Sequence, residues 1–136
     1  MIPIIKKIPA ADTWQIRHQV MWPDQPFAYI QLPNDKQGLH YGLFLDNALI
    51  SVISLFINKG QGQFRKFATL ANQQGKGYGS QLLHYIIDVA ENNDLTKIWC
   101  NARIEKTDYY EKFGLVKTDK QFSKKGMEYI VMERRI

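Results

Sequence analysis

Three glycines stand at alternate positions in residues 73–83, which read QQGKGYGSQLL, and the stretch turns apolar directly after them. Without Cβ atoms, Gly75, Gly77 and Gly79 let a backbone come close to a ligand or to a neighbouring element. Ahead of a helix they would bare N–H groups that have no partner inside it, at the positive end of its macrodipole. A diphosphate is the ligand such a place holds best, each charge-assisted bond contributing roughly 1.5–3 kcal/mol. The competing reading is a tight strand-to-helix connection with no ligand at all.

Known glycine motifs test the first reading. A P-loop requires G-x-x-x-x-G-K-[ST]; Lys76 follows Gly75, but Gly77 stands where Ser or Thr belongs and Leu70 where the first glycine belongs. A dinucleotide fingerprint requires G-x-G-x-x-G, and Ser80 occupies its last place. The tetrapeptide Lys76-Gly77-Tyr78-Gly79 fits the opening of the RNA-binding RNP1 motif. That motif continues with aromatics on a strand, on which bases stack. Here the continuation is Ser80-Gln81-Leu82-Leu83, the start of a helical pattern. No nucleic-acid partner is expected.

The elements that position this loop can be read from the whole chain. At 136 residues it is long enough for one domain, 1–136, with a real core. Hydrophobic residues make up 45% and charged residues 23%, the balance of a soluble globular protein. Residues 1–10, MIPIIKKIPA, hold no apolar run of signal-peptide length, and no later segment is suited to a bilayer. A cytoplasmic protein with no membrane partner is the expectation. Cys100 is the only cysteine, so neither a disulfide framework nor a metal cluster is expected. The net charge of +5 suits a polyanionic ligand, although the basic residues are dispersed and the densest pairs are Lys6-Lys7, Lys124-Lys125 and Arg134-Arg135.

Residues 1–8 are β-branched and predict a first strand. The stretch ADTWQIRHQVMW predicts a helix, capped by Asp12 or Thr13, with Trp14, Ile16, Val20 and Met21 as apolar members and Pro23 and Pro26 ending it. Phe27 to Gly38 reads as polar and irregular. LHYGLFL, ALISVISLFIN and QFRKFATL then predict a three-stranded meander turning at Asp46-Asn47 and at KGQG, its middle strand apolar on both faces. Leu82, Leu83, Ile86, Val89 and Ala90 recur at helical spacing. TKIWCNA predicts a strand, KTDYYEKF a short helix closed by Gly114, and LVKTDKQF and MEYIVMERR two last strands about an SKKG turn. The order is β-α-βββ-α-β-α-ββ, an α/β (α+β) fold with a mixed, mostly antiparallel sheet of six to seven strands and helices packed on both faces.

Gln74-Gly75-Lys76-Gly77-Tyr78-Gly79 resembles the [QR]-x-x-G-x-[GA] signature of the GNAT family of N-acetyltransferases. Tyr109-Tyr110-Glu111-Lys112-Phe113-Gly114-Leu115 is similar to that family's FYEKLGF segment, and the element order matches over nearly the whole chain. The resemblance implies an acetyl-CoA-dependent acyltransferase without a metal. By position, Gln74, Gly75, Lys76, Gly77, Tyr78, Gly79 and Ser80 would hold the pyrophosphate, and the main chain of Phe67, Ala68 and Thr69 would pair with pantetheine. The family often has an asparagine where this chain has Arg103; Asn101 would serve instead if its strand bulges. Tyr110 resembles the tyrosine that protonates the departing thiolate, and a phenol of pKa about 10 is protonated at neutral pH. Adjacent Tyr109 reads as packing.

The acceptor amine must lose a proton to attack, and the family often places a carboxylate on the fourth strand for this. Here that strand carries Arg65 and Lys66 and no carboxylate. His40 is a candidate base, though a surface position suits it better, and a water chain is the other route. Direct transfer in a ternary complex is expected, because Cys100 has no base beside it in sequence. The acceptor is a small-molecule or peptide amine, and dimerisation through the C-terminal strands follows by analogy. The alternative is a non-catalytic acyl-CoA-binding module.

Overall fold

The isoleucine-rich segment Ile4–Ile8 forms β1 in the computed structural model, which describes residues 2–136. It pairs antiparallel with β2 (Leu39–Leu45), placing Ile5 opposite Leu43 and Ile8 opposite His40. Asp46 and Asn47 then reverse the chain into β3 (Ala48–Asn58), both at positive φ, 47° and 70°. Asp and Asn tolerate that conformation, which matches the twist of the flanking strands. Lys59 and Gly60 repeat the device ahead of β4 (Gln61–Thr69). In β3, Ile50 through Phe56 are all buried, as a strand apolar on both faces requires.

The remaining elements are α2 (Tyr78–Asn92), β5 (Lys97–Arg103), α3 (Thr107–Glu111), β6 (Val116–Lys124) and β7 (Met127–Arg135). The sheet has seven strands in the order β1-β2-β3-β4-β5-β7-β6, with β4 and β5 parallel. Both the fold class and the element order match the expectation from sequence.

The first helical segment departs from it. Residues 10–21 form a 3-10 turn (Ala10–Thr13), three α-helical residues of α1 (Trp14–Ile16) and a π turn (Arg17–Met21). Neither proposed cap acts as one; the Thr13 hydroxyl donates back to the Ala10 carbonyl at 2.7 Å. The inward face also holds a charge. Arg17 is fully buried, in the middle of the apolar positions Trp14, Ile16, Val20 and Met21. Residues 27–38 are less irregular and less polar than expected. Two 3-10 turns, Phe27–Ile30 and Asp35–Gln37, bury Ile30 and Asp35.

The chain divides into two compact units. One runs up to Phe56 and includes Arg65–Ile86. Its core gathers Ile8, Ile16, Val52 and Ala68, with Val20, Met21, Phe44, Leu49 and Leu70 packed against them. A neighbouring cluster of Leu43, Leu45 and Ile50 receives Ile5, Leu70 and Tyr78. The other unit comprises Ile57–Phe64 and Ile87–Ile136. Within it β5 and β7 form an unbroken antiparallel ladder from Lys97–Arg135 to Arg103–Tyr129. Gly114, at φ 84°, closes α3 as expected, its N–H bonding to the Glu111 carbonyl at 3.0 Å.

Candidate active site

β4 delivers the chain to the glycine loop through a braced corner. The Leu70 N–H bonds to the Ile50 carbonyl at 2.9 Å, and Ala71–Gln73 make a 3-10 turn. The Gln74 side chain then reaches back, its amide donating to the Thr69 carbonyl at 2.9 Å. Beneath it the Ser51 hydroxyl donates to the Ala68 carbonyl at 3.2 Å, which leaves Thr69 Oγ1 to donate to Ser51 Oγ at 2.8 Å. The end of the strand is therefore held by side chains on both sides of the main chain. Lys66, two residues before Ala68, sits at φ 54° inside β4 and kinks it.

The three glycines do two different jobs. Gly75 and Gly77 occupy left-handed conformations, φ 77° and 87°, and a Cβ added to either would meet nothing within 4 Å. Gly79 is the opposite case. A Cβ there would lie 3.2 Å from the Phe67 ring and 3.2 Å from Thr69 Oγ1, so its missing side chain lets α2 approach β4. The first helical bond runs from Gln81 N–H to the Gly77 carbonyl at 3.0 Å. The N–H groups of Tyr78 and Gly79 thus precede the helical ladder. Residues 70–80 contain Lys76 and no acidic residue. An open, positively biased cradle of main-chain donors is the arrangement that fits a diphosphate.

The other unit carries the phenol and the thiol. Tyr110, on α3, is partly buried, its ring 5.7 Å from that of Phe64 and 5.4 Å from that of Tyr109, centroid to centroid. Burial above all, then Cys100 and Tyr109, pushes its hydroxyl well above the usual phenol range, against a smaller pull from Arg103. It is protonated at any physiological pH. Tyr109 packs on Phe113 at 5.2 Å. Cys100 is buried, and burial pushes its thiol up to about 12, so it offers no thiolate near neutrality. Asn101 is exposed opposite Val131, and Arg103 lies opposite Tyr129. The β5–β7 ladder shows no bulge there, so the register shift that would bring Asn101 into the place of Arg103 does not occur.

The sequence reading missed a buried polar network in the first unit. Arg17 holds Asp35 with both terminal nitrogens, Nη1 to Oδ2 at 2.8 Å and Nη2 to Oδ1 at 3.0 Å. Its Nη1 also donates to the Ile30 carbonyl at 3.1 Å and its Nη2 to Ser54 Oγ at 2.9 Å. Trp14 Nε1 and the Leu32 N–H add bonds to Asp35 Oδ2, each 3.0 Å. Burial by itself would raise the Asp35 carboxyl, but the bonds from Arg17, Leu32 and Trp14 and the charge of Arg17 hold it below the ordinary range.

His40 belongs to this network and is buried, which corrects the expected surface position. Its Nε2 lies 2.7 Å from the Asp35 carbonyl and its Nδ1 2.7 Å from Ser54 Oγ. A carbonyl only accepts, so Nε2 carries a proton. Nδ1 shares its hydrogen bond with the Ser54 hydroxyl, which also accepts from Arg17 Nη2 at 2.9 Å. Both nitrogens are engaged. No hydrophobic periodicity signals this network; the one sequence clue was a charged residue inside an apolar helical face.

The acetyltransferase (GNAT) domain model matches residues 12–136. This chain belongs to the GNAT acetyltransferases. As a GNAT protein it is an enzyme of the acyltransferase class, and the family model runs through both units. It is 28% identical over 142 residues to the uncharacterized N-acetyltransferase YitI of Bacillus subtilis (strain 168), across 97% of this chain and 95% of that one. The GNAT fold is shared with an acetyltransferase from Elizabethkingia anophelis solved with acetyl-CoA bound, at TM-score 0.77, 17% identity and 98% of each chain. It is shared too with the PaiA N-acetyltransferase of Thermoplasma acidophilum in complex with coenzyme A, at TM-score 0.76, 16% identity and 100% of each chain. Among the described residues, no helix of this GNAT enzyme is long and apolar enough to cross a membrane.

Proposed function

We propose that this GNAT enzyme moves an acetyl group from acetyl-CoA to the primary amine of a small molecule or peptide, by direct transfer in a ternary complex, its two units working as one domain over 1–136. The observation that carries the reading is the open cradle at Gly75 and Gly77, set between a braced strand end and the positive tip of α2. The loop from Gln74 to Ser80 holds the pyrophosphate of the co-substrate through main-chain donors beyond Gln74, whose own N–H bonds to the Ala71 carbonyl at 3.4 Å. The main chain of Phe67, Ala68 and Thr69 aligns the pantetheine arm.

The amine nitrogen attacks the thioester carbonyl carbon, forming the C–N bond, while an N–H of β4 near Phe67 stabilises the oxyanion. The C–S bond then breaks, and Tyr110 gives its proton to the departing thiolate. The proton lost by the nitrogen restores the phenol, so the balance is amine plus thioester to amide plus thiol. With His40 locked at both nitrogens, water relays that proton. The buried, protonated Cys100 supports transfer without an acyl-enzyme.

Calorimetric titration with coenzyme A, paired with thiol release across a panel of amines, tests the reading. Micromolar binding and amine-dependent thiol release are expected. Absence of coenzyme A binding would overturn it.

A further inference from the structure

Arg65 stands on β4 two residues before Phe67, on the far side of the kink at Lys66. The glycine loop follows the strand, so this step leads away from the pyrophosphate cradle and toward the acetyl end of the bound co-substrate. The Arg65 side chain is partly buried, and it makes no hydrogen bond or ion pair with any described residue. Its charged neighbours are Arg17 and Asp35.

Asp35 cannot answer it. Oδ1 takes Arg17 Nη2, and Oδ2 takes Arg17 Nη1, Trp14 Nε1 and the Leu32 N–H. Two guanidinium groups therefore share the field of one carboxylate whose oxygens already hold Arg17, and Arg65 is left without a hydrogen-bonded partner among the described residues. Burial, then the like charge of Arg17, weakens the grip of Arg65 on its proton, against the pull of Asp35. Withdrawing a charge from water without a partner is costly, and a guanidinium is the side chain whose planar fork matches an oxyanion in two parallel bonds.

We infer that Arg65 is a specificity residue for the acceptor: it binds a carboxylate carried by the amine, so that the acceptors are amino-acid-like molecules rather than plain amines or polyamines. The inference rests on the acetyl-CoA reading above, which sets which end of β4 faces the acceptor. It names the chemical class that the cofactor cradle leaves open.

The test uses matched pairs: phenylalanine with phenethylamine, tryptophan with tryptamine, and lysine with cadaverine. Phosphoethanolamine with ethanolamine forms a separate arm for a phosphate in the same role. In the wild-type enzyme the carboxylated member of at least one pair should be favoured at least tenfold in kcat/KM. In Arg65→Gln that ratio should fall about 10- to 100-fold toward one, and Arg65→Lys should restore part of it. Titration of N-acetylphenylalanine against N-acetylphenethylamine, with coenzyme A present, reads the same preference without turnover. Equal treatment of both members by the wild type, or a preference that survives Arg65→Gln, would overturn the inference while coenzyme A binding still upheld the wider reading. Preference for phosphoethanolamine over every carboxylate would overturn the carboxylate in favour of a phosphate. A protein that binds no coenzyme A would instead bring down the reading beneath both.

Discussion

Arg17 and Asp35, joined through two parallel hydrogen bonds of 2.8 and 3.0 Å, form a buried ion pair whose side chains are 0% and 5% exposed. The pair ties the π turn to the loop before β2, and Ser54 and His40 extend it to β3 and β2.

Breaking that pair leaves a charge buried alone. Arg17→Ala or Asp35→Asn is expected to lose about 3–5 kcal/mol, measured by urea unfolding. The double substitution Arg17→Met with Asp35→Leu should recover much of the loss, because it removes both charges together. A loss under 1 kcal/mol in either single variant would show that solvent reaches the pair.

The pair also sets the acid limb of stability. In the unfolded chain Asp35 titrates near the ordinary aspartate value of about 3.9, and in the folded chain it titrates lower. Its contribution is therefore fully present above about pH 5 and drains away as pH falls through the folded value. A plot of unfolding free energy against pH from 6 to 2 should be flatter for Asp35→Asn than for the wild type. Parallel curves would contradict this.

Tyr110→Phe keeps the ring that packs on Phe64 and Tyr109 and removes the proton. We expect kcat to fall about 100-fold, within the range for loss of a general acid, with coenzyme A affinity within twofold. Because burial raises the hydroxyl far above the phenol range, wild-type kcat should show no loss from tyrosine ionisation up to about pH 10. Unchanged kcat in the variant would leave Tyr110 as a packing residue.

Gly77 and Gly126 share a left-handed conformation, φ 87° and 77°, with open space where a Cβ would stand. Valine at either position strains the backbone by about 1–3 kcal/mol. Only Gly77→Val also fills the proposed phosphate cradle, so it should weaken coenzyme A binding at least tenfold by calorimetry. Gly126→Val, in the β6–β7 turn, should lower the melting temperature alone. Equal affinities in the two variants would dissociate Gly77 from the cofactor.

Cys100→Ala should retain turnover, and native protein should resist thiol-alkylating reagents, since the thiol is buried and pushed up to about 12. Loss of turnover with coenzyme A binding intact would require an acyl-enzyme.

Where local chemistry decides a structure, the sequence was enough to read it. Asp46-Asn47 and Lys59-Gly60 adopt turns their residue types favour, which forces β2, β3 and β4 into a meander. The unbroken apolar run of ALISVISLFIN announces a strand covered on both faces, and the spacing of Leu82, Leu83, Ile86 and Ala90 announces the buried side of α2. The glycine loop and the TyrTyrGluLysPheGly segment were legible for the same reason: close approach and chain reversal are properties of a few adjacent residues. Tertiary structure alone decided that Arg17, Asp35, His40 and Ser54 meet, that Gly79 spaces a helix from a strand while Gly75 and Gly77 open a cradle, and that Arg65 is partly buried with no hydrogen-bonded partner among the described residues. The reason is electrostatic and steric. Whether a charge is buried, and whether a missing Cβ faces empty space or a neighbour, depends on residues far away along the chain, and no local pattern records them.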